Sequence, residues 1–285
     1  KDQIVVFPGI ELTLSSPPCQ AILLLDADFD ETKFGDILTT LTIAATGPAN
    51  SKLASVESVS PTSITGFNDL EERLNQHPWL KGKFIILPNV TTAGHKTLFR
   101  DGFAKHYKEM RCVGGYVDGE YSKSSDGYKN ILEGRQQNNG YKPIAVFQTS
   151  DNRKRDHSDL GLPSTYVKWS EPTAEALRQA CLARESRVSL IEPELPNLWI
   201  TSISVTNSKF LGQVGFDLNQ QYNAIIGGRG TGKSTILEYL RWGLCDQPVE
   251  SEDMDIVQTK RKNLIDNTVQ KFDGEVHVEF LLNDV

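Results

Sequence analysis

The 285-residue chain contains no apolar run long enough to span a bilayer, which argues against a membrane-spanning helix. Its start, Lys1-Asp2-Gln3 followed by Ile4-Val5-Val6-Phe7, is too short and too acidic for a secretory signal and reads as the lead-in to a buried strand. The expected location is therefore the cytoplasm, with no membrane partner. Paired cysteines are missing as well: Cys19, Cys112, Cys181 and Cys245 lie far apart, and no Cys-x-x-Cys occurs. That excludes a zinc finger and disfavours a disulfide framework, so the four are read as small buried hydrophobes. The five histidines (His77, His95, His106, His157, His277) form neither a His-x-His nor a His-x-x-x-His pair. A positive charge balance is absent too, because 37 acidic against 30 basic residues leave −7, which disfavours non-specific coating of nucleic acid. The dense basic clusters, Arg153-Lys154-Arg155 and Lys260-Arg261-Lys262, are short and read as a solvated turn or helix face. No internal repeat or low-complexity tract is visible.

What is present is α/β in character. Short apolar runs at Ile4–Phe7, Ala21–Leu25, Phe84–Leu87, Ile144–Phe147 and Tyr166–Trp169 alternate with helix-like segments at Thr32–Ala45, Phe67–Gln76, Lys96–Met110 and Thr173–Arg184. Such alternation predicts βα units and a mainly parallel sheet. Thr173-Ala174-Glu175 after Pro172 has the form of a helix start, with an acidic residue in the first turn. The segment Ile-Glu-Pro-Glu-Leu-Pro at 191–196 carries two prolines, which suit neither a helix nor a central strand. A first domain over 1–190, a linker over 191–197 and a second domain over 198–285 follow from this. In the second, Leu198–Val205 reads as a strand, Val214, Phe216 and Leu218 as another, and Tyr222–Ile226 as a strand leading into a glycine loop. Val276, Val278, Phe280 and Leu282 mark one buried face of a last strand.

The most informative stretch is Gly227-Gly228-Arg229-Gly230-Thr231-Gly232-Lys233-Ser234, followed by Thr235, a full match to the phosphate-loop pattern G-x-x-x-x-G-K-[ST]. Glycines permit backbone conformations closed to other residues and let successive N–H groups turn inward around phosphate oxygens. Lys233 supplies a point charge for the β- and γ-phosphates of ATP, and the Ser234 hydroxyl is placed to ligate magnesium. The next helix, with Ile236, Leu237 and Leu240 as its expected buried stripe, aims its positive end at the same phosphates. Hydrolysis needs a further acidic residue at the end of a second strand, and no apolar strand between Ser234 and Val285 ends in a pair of acids. The ATPase module is expected to be incomplete here and the natural protein to be longer.

From Trp199 to Thr235, two strands and then Asn223-Ala224-Ile225-Ile226 before the loop, the sequence resembles the N-terminal lobe of SMC/Rad50-like ABC ATPases. Upstream, Val167-Lys168-Trp169-Ser170-Glu171-Pro172-Thr173, Ala176-Leu177-Arg178-Gln179-Ala180 and Glu185-Ser186-Arg187-Val188 look like the junction of TrlF-type proteins, which fuse a PHP (polymerase and histidinol phosphatase) domain to such an ATPase. The resemblance implies a PHP-like (β/α) barrel, incomplete at its N-terminus, ahead of the ATPase lobe. It also implies ATP held between two protomers in a homodimer or higher oligomer of ATPase heads, with DNA and an effector protein as partners. The signature motif and Walker B segment would follow an insertion beyond Val285. PHP domains use histidines and carboxylates to hold manganese or zinc for phosphoester hydrolysis. Phe7-Pro8-Gly9-Ile10-Glu11 matches the glutamate-ligand segment, and Thr149-Ser150-Asp151 the start of Ser-Asp-x-His, so Glu11 and Asp151 stand in ligand positions. Asn152-Arg153 follows where a histidine belongs, Leu87-Pro88-Asn89 replaces Leu-Pro-His, and the opening His-x-His is absent. His95 and His157 lie within a few residues of ligand positions, yet surface or structural roles suit them better. The resemblance thus implies a degenerate PHP domain serving as scaffold or sensor, in which manganese or zinc is doubtful.

The implied function is that of an ATP-binding subunit of an SMC/Rad50-like machine acting on DNA, in anti-phage defence or repair. Two alternatives stay open. One is an ATP-gated, metal-dependent phosphoesterase or nuclease, and the other an assembly module that binds ATP without hydrolysing it.

Overall fold

The computed structural model describes residues 4–41, 64–92, 94, 96–100, 102–150, 152, 154–246 and 255–282. The chain is mixed α/β and divides into two compact units, Lys1–Pro193 and Glu194–Val285.

In the first unit β1 (Gly9–Thr13), β2 (Gln20–Leu25) and β3 (Phe84–Pro88) form an antiparallel sheet in that order. β4 (Gly114–Asp118) and β5 (Ala145–Thr149) pair in parallel, and a parallel bridge between Asn89 and Tyr116 continues the first sheet toward β4. β6 (Tyr166–Val167) and β7 (Val188–Ser189) add a short antiparallel pair. The helices are α1 (Phe34–Thr40), α2 (Phe67–Asn75), α3 (Phe103–Glu109), α4 (Asp126–Leu132), α5 (Ala174–Leu182) and α6 (Arg184–Arg187).

The mainly parallel sheet expected from the alternation is therefore corrected. Only residues 14–19 join β1 to β2, and a parallel crossover needs about a dozen or more. β4 and β5, with α4 between them, form a parallel βαβ unit, but of its three elements only β5 stands among the expected segments; β4 and α4 do not. Among the described residues the sheets are open and no closed barrel forms. Ile4–Phe7 is not a buried strand: Ile4 and Val6 are exposed, and Phe7 packs against Trp169 with ring centroids 5.2 Å apart. The helix expected over Lys96–Met110 shrinks to α3, because the backbone turns left-handed at Lys96 and Gly102. That expected over Thr32–Ala45 begins as a 3-10 turn, and its last positions lie outside the described residues.

Each face of the sheet buries a different set of side chains. Leu12, Ala21, Leu23, Leu25, Ile86, Val117 and Val146 pack with Ile37 of α1, Leu70 and Leu74 of α2 and Tyr107 of α3. On the other face, Ile85, Leu87, Tyr116 and Ala145 meet Ala174, Leu177 and Cys181 of α5. Thr173 caps α5 by accepting from the Ala176 N–H at 3.1 Å. The buried Asp26 carboxylate at the end of β2 accepts from the Ala174 N–H at 2.7 Å, which fixes where α5 starts. Burial pushes the Cys19, Cys112 and Cys181 thiols up to about 12, so these three stay protonated and act as small apolar groups. Cys245 departs from that reading, because it is exposed.

In the second unit β8 (Leu198–Ser208) lies between β9 (Gly212–Asp217) and β10 (Glu275–Leu282), antiparallel to both. The helices α7 (Lys233–Gly243) and α8 (Ile256–Thr268) contribute Tyr239 and Ile265 to a core with Ile203, Val205 and Val269, while Val276 and Val278 pack at its margin. The single buried face expected along β10 ends at Val278. The register shifts between Glu279 and Phe280, where Thr201 of β8 is passed over, and Phe280 and Leu282 are exposed. An extra residue in one strand breaks the two-residue alternation from that point on. Arg261 is not part of a solvated basic face either. Its guanidinium, 14% exposed, bonds Glu238 of α7 at 2.7 Å and Asp246 at 3.2 Å, pinning α8 to the end of α7.

Leu23 is fully buried in the central strand of the first sheet. Leu23→Ala should lower the stability of that unit by about 2–5 kcal/mol, through lost burial and the cavity left behind. Urea titration followed by circular dichroism measures it, and a loss below about 1 kcal/mol would show that the site collapses around the gap.

Candidate nucleotide-binding site

The glycine loop at 227–232 leads directly into α7. Gly232, the residue that starts this helix, has φ +88°, and Gly230 has φ +82°. Both values lie in the left-handed region that glycine adopts at little cost. Gly232 is also hemmed in: a Cβ there would stand 2.5 Å from Leu211 Cδ2 and 3.2 Å from Phe210 Cε1, both in the β8–β9 turn. Any side chain at this position would push that turn away from the loop.

The Lys233 ammonium donates to the carbonyl oxygens of Gly227 at 2.8 Å and Gly228 at 2.5 Å. Two of its three donors are thus held by the loop's own backbone, and the third remains for whatever lies in the loop. The Thr231 hydroxyl donates to the Gly228 carbonyl at 3.0 Å and braces the same turn. Arg229 and Ser234 are exposed, and Thr235 is buried under the first turn of α7. The donors suit phosphate: a fixed ammonium, a hydroxyl at the first turn, and the positive end of an eleven-residue helix. Serine oxygen and phosphate oxygens are likewise the hard donors that magnesium takes. Lys233 and Ser234 also line one wall of a cleft of about 1060 Å³, whose other walls include Trp199, Leu218, Tyr222 and Leu237.

Two local expectations are corrected. Residues 222–226 are not a strand, since no described strand pairs with them and Tyr222 and Ile226 are exposed. Leu237 is not in the buried stripe of α7. The buried side chains are Thr235, Ile236 and Tyr239, with Leu240 partly covered, which follows the i, i+3, i+4 face; Leu237 points into the cleft. Tyr239 had no assigned role in the sequence. Its hydroxyl lies 2.8 Å from Ser208 Oγ and donates to Thr268 Oγ1 at 2.7 Å, linking α7 to β8 and α8.

In the first unit, Glu11 is the middle residue of β1, and the Gln20 side chain of β2 donates to its carboxylate. Asp151 and His95 lie outside the described residues. Asn89 is fully buried and donates to Asp118 Oδ2 at 3.0 Å, while Thr149 Oγ1 lies 3.4 Å from Asp118 Oδ1. These groups sit at the carboxyl ends of β3, β4 and β5. Burial first, then the nearby Asp118 and Glu11 carboxylates, raise the Tyr116 phenol above its ordinary range. Sequence reasoning missed Asp118; the Asp-Gly that closes the apolar run Tyr116-Val117 was the available signal. His157 is exposed, with Nδ1 3.5 Å from Asn152 Nδ2. Among the described residues no group of three or more His, Cys, Asp or Glu could hold a metal ion. No described helix is long and apolar enough to cross a membrane.

Residues 202–285 match the family model for an AAA domain, a stretch that begins within β8 and takes in the whole glycine loop. The match fits a P-loop ATPase region and carries ATP binding in general. No curated protein and no solved structure matches the chain.

Gly232→Ala should destabilise the second unit by about 1–2 kcal/mol from the left-handed backbone alone, and by more through the Leu211 clash. Gly230→Ala, where nothing lies within 4 Å of the added Cβ, should carry only the backbone cost. Denaturant titration of both variants checks the order, and equal losses would contradict the close packing at Gly232.

Proposed function

We propose that Gly227–Thr235 binds the phosphates of ATP with magnesium. Lys233 contacts the β- and γ-phosphates, Ser234 ligates the metal, and the N–H groups of the Gly228–Gly232 backbone and the first turn of α7 surround the oxygens. The observation that carries this reading is the Lys233 ammonium fixed by two loop carbonyls at the start of α7, beside an exposed Ser234. Bound magnesium would neutralise phosphate charge; the chain's own residues orient the triphosphate.

The finer reading rests on the resemblance to SMC/Rad50-like ATPases. The second unit is one half of an ATPase head that pairs with another protomer and works on DNA, in repair or defence against phage. The first unit serves it as scaffold or sensor, a reading supported by the missing histidine pattern around Glu11 and Asn89.

Lys233→Ala should abolish ATP binding, measured by titration calorimetry in magnesium, without unfolding the chain. Unchanged ATP affinity in that variant would sink the proposal. Steady-state hydrolysis measured alongside particle mass then separates an ATPase from an assembly module, because the latter associates with ATP but shows negligible turnover.

A further inference from the structure

A directed chain of hydrogen bonds runs through the second unit from the β8–β9 turn to α8. Thr268 Oγ1 donates to the Leu264 carbonyl at 2.6 Å, so its single hydrogen is committed and it accepts from Tyr239, 2.7 Å away. The Tyr239 hydrogen is used in that bond, which leaves its oxygen to accept from Ser208 Oγ at 2.8 Å. Ser208 Oγ in turn accepts the Leu211 N–H at 3.3 Å. Every hydrogen therefore has one direction, in the order Leu211, Ser208, Tyr239, Thr268, Leu264. Ser208 is 4% exposed and Tyr239 is fully buried, so water has little access to replace a lost member. The Lys209 N–H adds a parallel tie, donating to the Thr268 carbonyl at 2.9 Å.

The turn end of this chain rests on the phosphate loop. Leu211 Cδ2 lies 2.5 Å from where a Cβ of Gly232 would stand, and Gly232 is the residue that starts α7. Tyr239 sits about two turns further along the same helix. These contacts close a ring from Gly232 to Leu211, Ser208 and Tyr239, and back along α7 to Gly232. Apolar burial is non-directional and tolerates small slides of a helix on a sheet. A chain of hydroxyls with one donor order does not, because each bond weakens steeply off its axis. A phenylalanine at 239 would bury the same ring, so the hydroxyl contributes position rather than burial.

We propose that Tyr239 is a positioning residue of the nucleotide site. Its hydroxyl, through Ser208 and Leu211, sets where Gly232, Lys233 and Ser234 stand. The inference rests on the ATP reading above and adds a determinant of ATP affinity that the phosphate-loop pattern does not contain.

The test is titration calorimetry of ATP into the full chain in magnesium. Tyr239→Phe keeps the buried ring and removes the hydroxyl. It should bind ATP about 2- to 12-fold more weakly than the parent, the factor that one net hydrogen bond corresponds to. Thr268→Val, which breaks the chain beyond Tyr239, should lose a similar factor. The double variant should be no weaker than Tyr239→Phe alone, because members of one hydrogen-bond network are not additive. Thr268→Ser, which keeps the hydroxyl, should bind like the parent. Val205→Ala removes core volume from β8 but no member of the chain, and it should lower thermal stability without changing ATP affinity. Unchanged ATP affinity in Tyr239→Phe overturns the proposal. So do additive losses in the double variant, or an equal loss in Val205→Ala, which would make general loosening of the unit the cause. If the parent does not bind ATP, or Lys233→Ala leaves its affinity intact, the phosphate-loop reading itself falls and takes this one with it.

Discussion

A strand holds its shape only when a neighbour takes up its N–H and C=O groups, and both units of this chain are organised by that constraint. In the first, β2 is paired along both edges and carries Leu23 and Leu25 into one core and Ile22 and Leu24 toward the other. In the second, β8 is the doubly paired strand, and both of its neighbours run antiparallel to it. Two further apolar segments with no described strand neighbour, 4–7 and 222–226, form no strand, and Ile4, Val6, Tyr222 and Ile226 lie in solvent. Apolar content is thus not sufficient for a strand.

The glycine loop depends on β8 at one remove. The turn after β8 brings Phe210 and Leu211 against Gly232, and the Ser208–Tyr239–Thr268 bonds hold α7 against the same strand. Arg261 pins the far end of α7 through Glu238 and Asp246. With both ends fixed, the first turn of α7 presents Lys233 and Ser234 from a firm base. Such preorganisation lowers the entropy lost when a ligand is ordered there.

Part of this was legible from residue spacing. The α2, α5 and β2 segments stand within a residue or two of where their patterns place them, because in each the apolar spacing and the burial agree. Thr173-Ala174-Glu175 reads as a helix start by residue type and position, and the structure makes Thr173 the cap of α5. Spacing failed where geometry depends on a distant partner. The antiparallel β2–β3 pairing, the shift at Thr201, the burial of Arg261 and the exposure of Leu237 each depend on residues remote in the chain. In the first unit Glu11 stood out by resemblance, whereas Asp118 did not, since an Asp-Gly at a strand end reads locally as a turn.

By itself the sequence determined the glycine loop and the helix after it, since Gly230 and Gly232 are required wherever the backbone turns left-handed and Lys233-Ser234 follow at fixed spacing. It also determined the mixed α/β character, which local apolar periodicity encodes. The tertiary structure alone decided strand direction, the tie of Asp26 to α5, the bracing of α7 by Tyr239, and the approach of Phe210 to Gly232. The physical reason is that spacing encodes only the faces of local elements. Contacts between residues far apart in the chain exist once those elements have packed.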